Sequence, residues 1–324
     1  MQIVTGMNIY NRILDASIVT IGNFDGVHRG HSEIFAHLKL QSIDRALPSV
    51  VVTFEPHPLK ILAPESAPDL ITTFEQKIAL IEESGIDYLI VVPFSAEFSQ
   101  VSAQDFVLDI LCSSLGMRHI IIGHDYAFGR GRAGNFQTLL SLSTYNGFTL
   151  EDLPPIGEKG VVFSSSLVRS AIFEGDMGAA SSILGRYYQI SGTVVHGREI
   201  GQLLGFPTAN ICTPNELIPS DGVYAVMVEV DGQIVKGACN VGRNLTFGVT
   251  SRTIEVFLLD FIGNIYGHEI TVQFVQRLRS VQKFSDVTAL KTAIEIDVTK
   301  TRIILENMNT DYPKLISRSG PCAY

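Results

Sequence analysis

The feature that most constrains this chain is a change of hydrophobic rhythm near residue 184. Before it, short apolar runs at 17–22, 49–54, 88–94 and 119–123 are rich in Val and Ile and bounded by Gly, Pro or charge. Such runs read as strands buried on both faces. Helical patterns separate them. Residues 31–46 place Ile34, Leu38 and Ile43 along one stripe, and residues 73–85 do so with Phe74, Ile78 and Ile81 before Gly85 as a stop. Buried strands alternating with helices predict a parallel sheet in an α/β domain. After residue 184, strand-like segments at 186–197, 222–232, 233–242, 252–261 and 268–278 follow one another with turns between them. Asp231-Gly232 is a strong hairpin signal, and 261–267 reads as a second hairpin connection. Closely spaced strands without helices predict a small antiparallel barrel or sandwich. One long helix follows, with Ser285 as its expected N-cap. The expected division is 1–183, 184–306, and a tail over 307–324 with little periodicity.

Charge and cysteine usage narrow the function. The net charge of −9 disfavours tracking a nucleic-acid backbone, although a local site for a small phosphorylated ligand needs only a few donors. Cys112, Cys212, Cys239 and Cys322 form no Cys-x-x-Cys pair, so zinc and redox motifs fail on spacing. No basic lead precedes an apolar core, and the longest apolar run is too short to span a bilayer. A cytoplasmic protein without membrane partners is expected.

The densest stretch is GNFDGVHRGH at 22–31. It follows a strand and opens a helix, where ligands bind in open α/β sheets. Gly22, Gly26 and Gly30 permit close backbone approach, and helix-start amides favour phosphate. His28 and His31 lie on one side of the first helical turn and can donate to phosphate oxygens as charge builds. The alternative is steric glycines beside a surface His pair. The spacing fits neither a dinucleotide fingerprint nor a P-loop. TFEPHP at 53–58 brings Glu55 and His57 to the end of the second strand. FSSSLVR at 163–169 puts Ser164, Ser165 and Ser166 at a helix start with Arg169 one turn on. Those serines either cap the helix or meet a phosphate. GHDYAFGRGRAGN at 123–135 is a basic, Gly-rich loop after the fourth strand.

In the second half, LGFPTANI at 204–211 is the most pointed stretch. If extended, Thr208 and Asn210 face one way and offer hard oxygens suited to Mg²⁺. The alternative is a turn in which both satisfy their own backbone. In RTIEVFLLDF, Glu255 shares a face with Thr253, Phe257 and Leu259, while Ile254, Val256 and Leu258 take the other. A carboxylate against apolar surface suits a general base, and the alternative is a barrel rim open to water.

Together GNFDGVHRGH, TFEPHP, GHDYAFG and SSSLVR resemble the adenylyltransferase module of bacterial bifunctional riboflavin kinase/FAD synthetases. His-Arg-Gly-His is also similar to the His-x-Gly-His signature of the wider nucleotidyltransferases. LGRYY, SGTVVHG, LGFPTANI, GVYAV, CNVG, TFG, EVFLLDF, IYG and KF resemble the riboflavin kinase module of the same family. The likeness spans about residues 15 to 303. It implies a Rossmann-like nucleotidyltransferase domain followed by a six-stranded antiparallel barrel with a long terminal helix. It implies ATP contacts at Gly22, Asp25, Gly30, Ser165, Ser166 and Arg169, with His28 and His31 acting in the reaction. Asn23, His57, Asp125 and Phe128 would lie toward the flavin. In the barrel it implies Mg-ATP at Thr208 and Asn210, nucleotide contacts at His196, Gly197 and Gly205, and Glu255 as base for the ribityl 5′-hydroxyl. The implied substrates are riboflavin, FMN and ATP. Departures from the family pattern fall at Ala127, Leu167, Ile200, Gln202, Leu245 and Val281. They leave two alternatives: a single active module, or a flavin-binding regulator without turnover.

Overall fold

The computed structural model describes residues 1–123, 126–158, 160–197, 200–246 and 249–308. Asp125 and the tail over 309–324 lie outside the described residues. Contacts divide the chain into two compact units. The first is Met1–Asp69 with Lys77–Phe163, and the second joins Leu70–Gln76 to the chain from Ser164 onward.

The first unit holds β1 (Gln2–Thr5), β2 (Ser17–Ile21), β3 (Ser49–Glu55), β4 (Tyr88–Pro93), β5 (Met117–Gly123) and β6 (Thr149–Leu153). They form one six-stranded sheet in the order β1-β4-β3-β2-β5-β6, and every neighbouring pair is parallel. The four expected strands are its centre. β2 is buried at all five positions, because helices cover both faces of a parallel sheet. A small antiparallel hairpin, β7 (Gly157–Glu158) and β8 (Val161–Val162), follows. The helices are α1 (Arg29–Arg45), α2 (Pro58–Leu62), α3 (Phe74–Glu83, whose first three residues are counted in the second unit), α4 (Ala103–Asp105) and α5 (Phe136–Asn146), with a π-helical stretch Phe106–Ser114 continuing α4. The expected stripe on α1 is corrected. Phe35 and Leu38 are buried while Ile43 is 67% exposed. Nine residues at 3.6 per turn are two and a half turns, which puts Ile43 on the side of the helix opposite Ile34. On α3 the buried side chains are Gln76, Lys77, Leu80 and Ile81.

The order places the loop after β2 at a reversal. β3 and β4 extend the sheet to one side of β2, and β5 and β6 to the other. Ligands of open α/β sheets bind at such a switch point, outside the carboxyl ends of the strands.

The second unit adds α6 (Ser165–Glu174), α7 (Met177–Leu184), α8 (Ile200–Leu203) and α9 (Val287–Glu306) to β9 (Tyr188–Val195), β10 (Thr208–Cys212), β11 (Gly222–Val230), β12 (Gln233–Thr246), β13 (Val249–Leu258) and β14 (Glu269–Arg279). These six strands close into a barrel in the order β10-β13-β12-β11-β14-β9. Asp231 and Gly232 join β11 to β12 as a two-residue hairpin, both at positive φ. The expected hairpin at 261–267 is not one. β13 pairs with β10 and β12, and β14 pairs with β11 and β9, so this connection crosses to the other side of the barrel. Its turn-forming residues mark a bend, and a bend does not fix which strand comes next. Asp286, rather than Ser285, caps α9. Its Oδ1 accepts from the Ala289 amide at 2.8 Å, while the Ser285 hydroxyl donates to Asp286 at 3.0 Å. Among the described residues, no helix is long and apolar enough to cross a membrane.

α9 packs on β11, β12 and β14. Arg279 from β14 makes a fork to the buried Asp297 of α9, with Nε at 3.0 Å and Nη2 at 2.7 Å from Oδ2. Removing one partner of a buried pair leaves an uncompensated charge. Arg279→Met should therefore destabilise the barrel unit by about 3 kcal/mol. Denaturant titration of the full chain, followed by the barrel's loss of structure, checks this.

Candidate active sites

The first loop is held open by main-chain geometry. The Gly22 amide donates to the Val52 carbonyl at 3.1 Å, continuing β2 beside β3. A Cβ on Gly22 would fall 2.8 Å from the Phe24 ring. Phe24 and Val27 both adopt positive φ, at 49° and 36°. Such strain in non-glycine residues persists where surrounding structure enforces it, and it gathers at functional sites. His28 sits at the N-cap of α1 without a side-chain cap bond. Its ring stacks instead on His31, with centroids 3.7 Å apart and planes 21° apart. The Phe24 ring meets His31 edge-on at 5.2 Å. Gly30 completes the cradle, since a Cβ there would lie 3.0 Å from His28 Cε1. His28 is 5% exposed. Two imidazoles thus flank the first turn of a seventeen-residue helix, whose leading amides and dipole favour an anion.

The end of β3 meets this loop. The Thr53 hydroxyl donates to the Asn23 carbonyl at 3.2 Å. His57 is buried and caps α2, its Nδ1 accepting from the Leu59 amide at 3.2 Å. Asp25 is buried and Asn23 exposed. Phe128 is placed in the hydrophobic core, 5% exposed, against Phe106 and stacked beside Tyr126. Lys77 escaped the sequence reading. It is a buried lysine on α3 with its Nζ 3.6 Å from Glu55 Oε2. Its only sequence signal was a cation on the buried side of an amphipathic stripe.

Ser164 caps α6, its hydroxyl accepting from the Leu167 amide at 3.3 Å. Ser165 and Arg169 are half-buried and Ser166 is exposed. All four are counted in the second unit, whereas the histidine loop and the end of β3 are brought together in the first.

On the barrel, strand register gathers the other candidates. Thr208 and Asn210 lie in β10, so the extended reading holds there and the self-satisfying turn does not. Asn210 is opposite Glu255, Glu255 is opposite Asn240, and Thr208 is opposite Phe257. Directly paired residues share a face. Ala209, Ile254 and Val256 are buried on the other face. Thr208, Asn210, Glu255 and Asn240 are therefore half-buried neighbours on the outer surface of the barrel wall. Asn240 is the second residue that sequence reading missed, because the CNVG stretch gives no sign of which strand it faces.

Glycines of the described residues before β10 lie against this row. Any Cβ on Gly197 would collide with the Asn210 amide, and one on Gly201 with the Phe206 carbonyl, 3.3 Å from Thr208 Oγ1. Gly205 adopts φ 87°. His196 stacks on Tyr266 at 3.9 Å, and Phe206 meets Phe257 edge-on at 5.4 Å. Among the described residues, no group of three or more His, Cys, Asp or Glu side chains could hold a metal ion. A hydroxyl and an amide oxygen beside one carboxylate suit a hard cation that brings further oxygens with its ligand, as a nucleotide polyphosphate does.

Comparison with known proteins covers both units. The family described as FAD synthetase matches residues 11–167, and the family described as riboflavin kinase matches residues 184–305. A protein of Pseudomonas fluorescens named bifunctional riboflavin kinase/FMN adenylyltransferase is 39% identical over 305 residues, covering 94% of this chain and 98% of its own. Proteins of the same name from Escherichia coli K12 and Bacillus subtilis are 36% and 37% identical, covering 92% and 87% of this chain and 96% and 90% of theirs. A solved structure described as a macrolide-efflux protein from Streptococcus pneumoniae superposes with a TM-score of 0.86 at 30% identity, over 93% of this chain and 99% of that one.

Proposed function

Because this chain belongs to the bifunctional riboflavin kinase/FMN adenylyltransferase family, we propose that its two reactions run at the two sites described, divided in sequence at 183/184. In the barrel, riboflavin and ATP give FMN and ADP. In the first unit, FMN and a second ATP give FAD and pyrophosphate. All three substrates are small molecules, and neither nucleic acid nor membrane is needed. A cytoplasmic location fits these substrates and the net charge of −9.

Phosphoryl transfer is mainly positioning and charge neutralisation. Glu255 accepts the proton of the ribityl 5′-hydroxyl as that oxygen attacks the γ-phosphorus. Asn210 and Asn240, on either side of it in register, are the neighbours that would orient its carboxylate. Thr208 and Asn210 offer the hard oxygens that would hold Mg²⁺ arriving with ATP. When bound, that ion neutralises charge on the transferring phosphoryl group. His196, Gly197 and Gly205 line the nucleotide side of the same loop.

In the first unit, a phosphate oxygen of FMN attacks the α-phosphorus of ATP and pyrophosphate leaves. His28 and His31 donate to the oxygens whose charge grows, with Gly22, Asp25 and Gly30 shaping the loop against the nucleotide. Asn23 and His57 are assigned to the flavin side by the sequence resemblance. Asp125 and Phe128 are assigned to that side on the sequence resemblance alone, as Ser165, Ser166 and Arg169 are to the nucleotide.

The observation carrying this reading is that each site packs a candidate group closely against a glycine: a Cβ on Gly30 would lie 3.0 Å from the His28 ring, and one on Gly197 would overlap the Asn210 amide. Chromatography of products from riboflavin and Mg-ATP tests it. FMN should appear first, then FAD with pyrophosphate. FMN without FAD removes the adenylyltransferase claim, and bound flavin with ATP unconsumed establishes a regulator.

A further inference from the structure

Lys77 carries a charge that neither reaction above uses. It projects from α3 to the end of β3, and its residue is 7% exposed. Its Nζ lies 3.6 Å from Glu55 Oε2. Asp25, buried in the first loop, acts on the same ammonium. Burial pulls the Lys77 ammonium below the usual lysine range, and the Glu55 and Asp25 carboxylates oppose that pull. Burying a cation is costly, and an apolar side chain of similar length would fill the space more cheaply. Packing alone therefore does not explain the residue. The setting does. Two carboxylates stand at the carboxyl ends of adjacent strands, where the first loop turns toward the helix carrying His28. Left alone, they would repel each other and any polyphosphate approaching that helix.

We propose that Lys77 is a positioning residue of the adenylyltransferase site, its ammonium balancing Asp25 and Glu55 so that the first loop keeps its shape and admits the nucleotide's phosphates. This rests on the reading that ATP binds at that loop. The lysine acts through the two carboxylates and forms no bond to a reacting atom. Its effect is electrostatic, so it should respond to charge removed elsewhere in the trio.

The test measures FAD formation from supplied FMN in the full-length protein, with riboflavin phosphorylation by the same chain and the thermal midpoint reporting folding. Lys77→Met should raise KM for ATP and lower kcat/KM for adenylylation by about 30-fold, while phosphorylation stays within about twofold. Adding Glu55→Gln should recover at least about fivefold of that loss, because one carboxylate no longer faces the phosphates without a counter-charge. A space-filling role predicts no recovery. Adenylylation within about twofold for Lys77→Met overturns the proposal, and so does a double variant no better than the single one. If Lys77→Met does not fold, the double variant decides alone: adenylylation within about tenfold of the native chain supports the role, and a greater loss overturns it. His28→Ala separates the two readings. If His28→Ala leaves FAD formation intact, the nucleotide assignment falls. If it abolishes FAD formation while Lys77→Met does not, only the lysine inference falls.

Discussion

Glu255→Gln is expected to lower kcat for riboflavin phosphorylation by about 10²–10⁴-fold. FAD formation from supplied FMN should stay within about twofold, since that reaction is proposed to run at the other site. The substitution keeps the side chain's length and removes only its capacity to take a proton. Its neighbours make the readout clean. Glu255 is paired across β13 with Asn210 on one side and Asn240 on the other, and the residues before and after it point into the barrel. A glutamine has the same length and shape between these two neighbours, so KM for ATP should hardly change. A loss confined to kcat identifies a group needed in the transition state rather than for binding. Asn240→Ala should reproduce a smaller part of the loss, because it leaves the carboxylate in place but less well aimed. Stopped-time assays of each half-reaction, with flavins separated by chromatography, check both expectations. Unchanged phosphorylation in Glu255→Gln would remove the base from this strand.

The sequence revealed the elements with strong local signals and hid those held by distant partners. The central strands of the sheet are runs of Val and Ile buried on both sides, so hydrophobicity alone marks them. The edge strands β1 and β6 escaped because they are mostly exposed or half-buried, and TLEDL reads as a loop until β5 supplies its partner. The connection after β13 looked like a hairpin because turn residues record a bend and say nothing of barrel order. Leu70–Gln76 is counted with the barrel through polar contacts: the Gln76 amide donates to the Ser191 hydroxyl at 3.3 Å and accepts from Asn215 at 3.0 Å. No periodicity encodes a bond across more than a hundred residues. The sites show the same split. His28, Gly30 and His31 lie within four positions, and Thr208 and Asn210 within three, so spacing displayed them. Lys77 and Asn240 gain meaning only when a fold sets them opposite Glu55 and Glu255.

The matching expectation for the first unit is that His28→Ala stops flavin processing at FMN. FAD formation should fall by about 10²–10³-fold, the usual cost of removing one preorganised donor to a developing oxyanion. The stacked geometry sharpens this. His28 and His31 lie ring on ring at 3.7 Å, so under the proposed assignment they are expected to serve the departing pyrophosphate as one unit. Residues that act as a unit are not additive. The double variant His28→Ala/His31→Ala should therefore lose little more than either single variant, well short of the product of their effects. Gly30→Ala offers a graded control. Its methyl would press on the His28 ring from about the 3.0 Å position occupied by Cβ, displacing a donor without deleting it, and an intermediate loss should follow. Riboflavin phosphorylation by all four chains should remain within about twofold, and their thermal midpoints should report that each is folded. FMN then accumulates during a riboflavin incubation where the native chain passes on to FAD. Should His28→Ala deliver FAD at the native rate, the imidazoles are packing groups and the anion site lies elsewhere along the switch point.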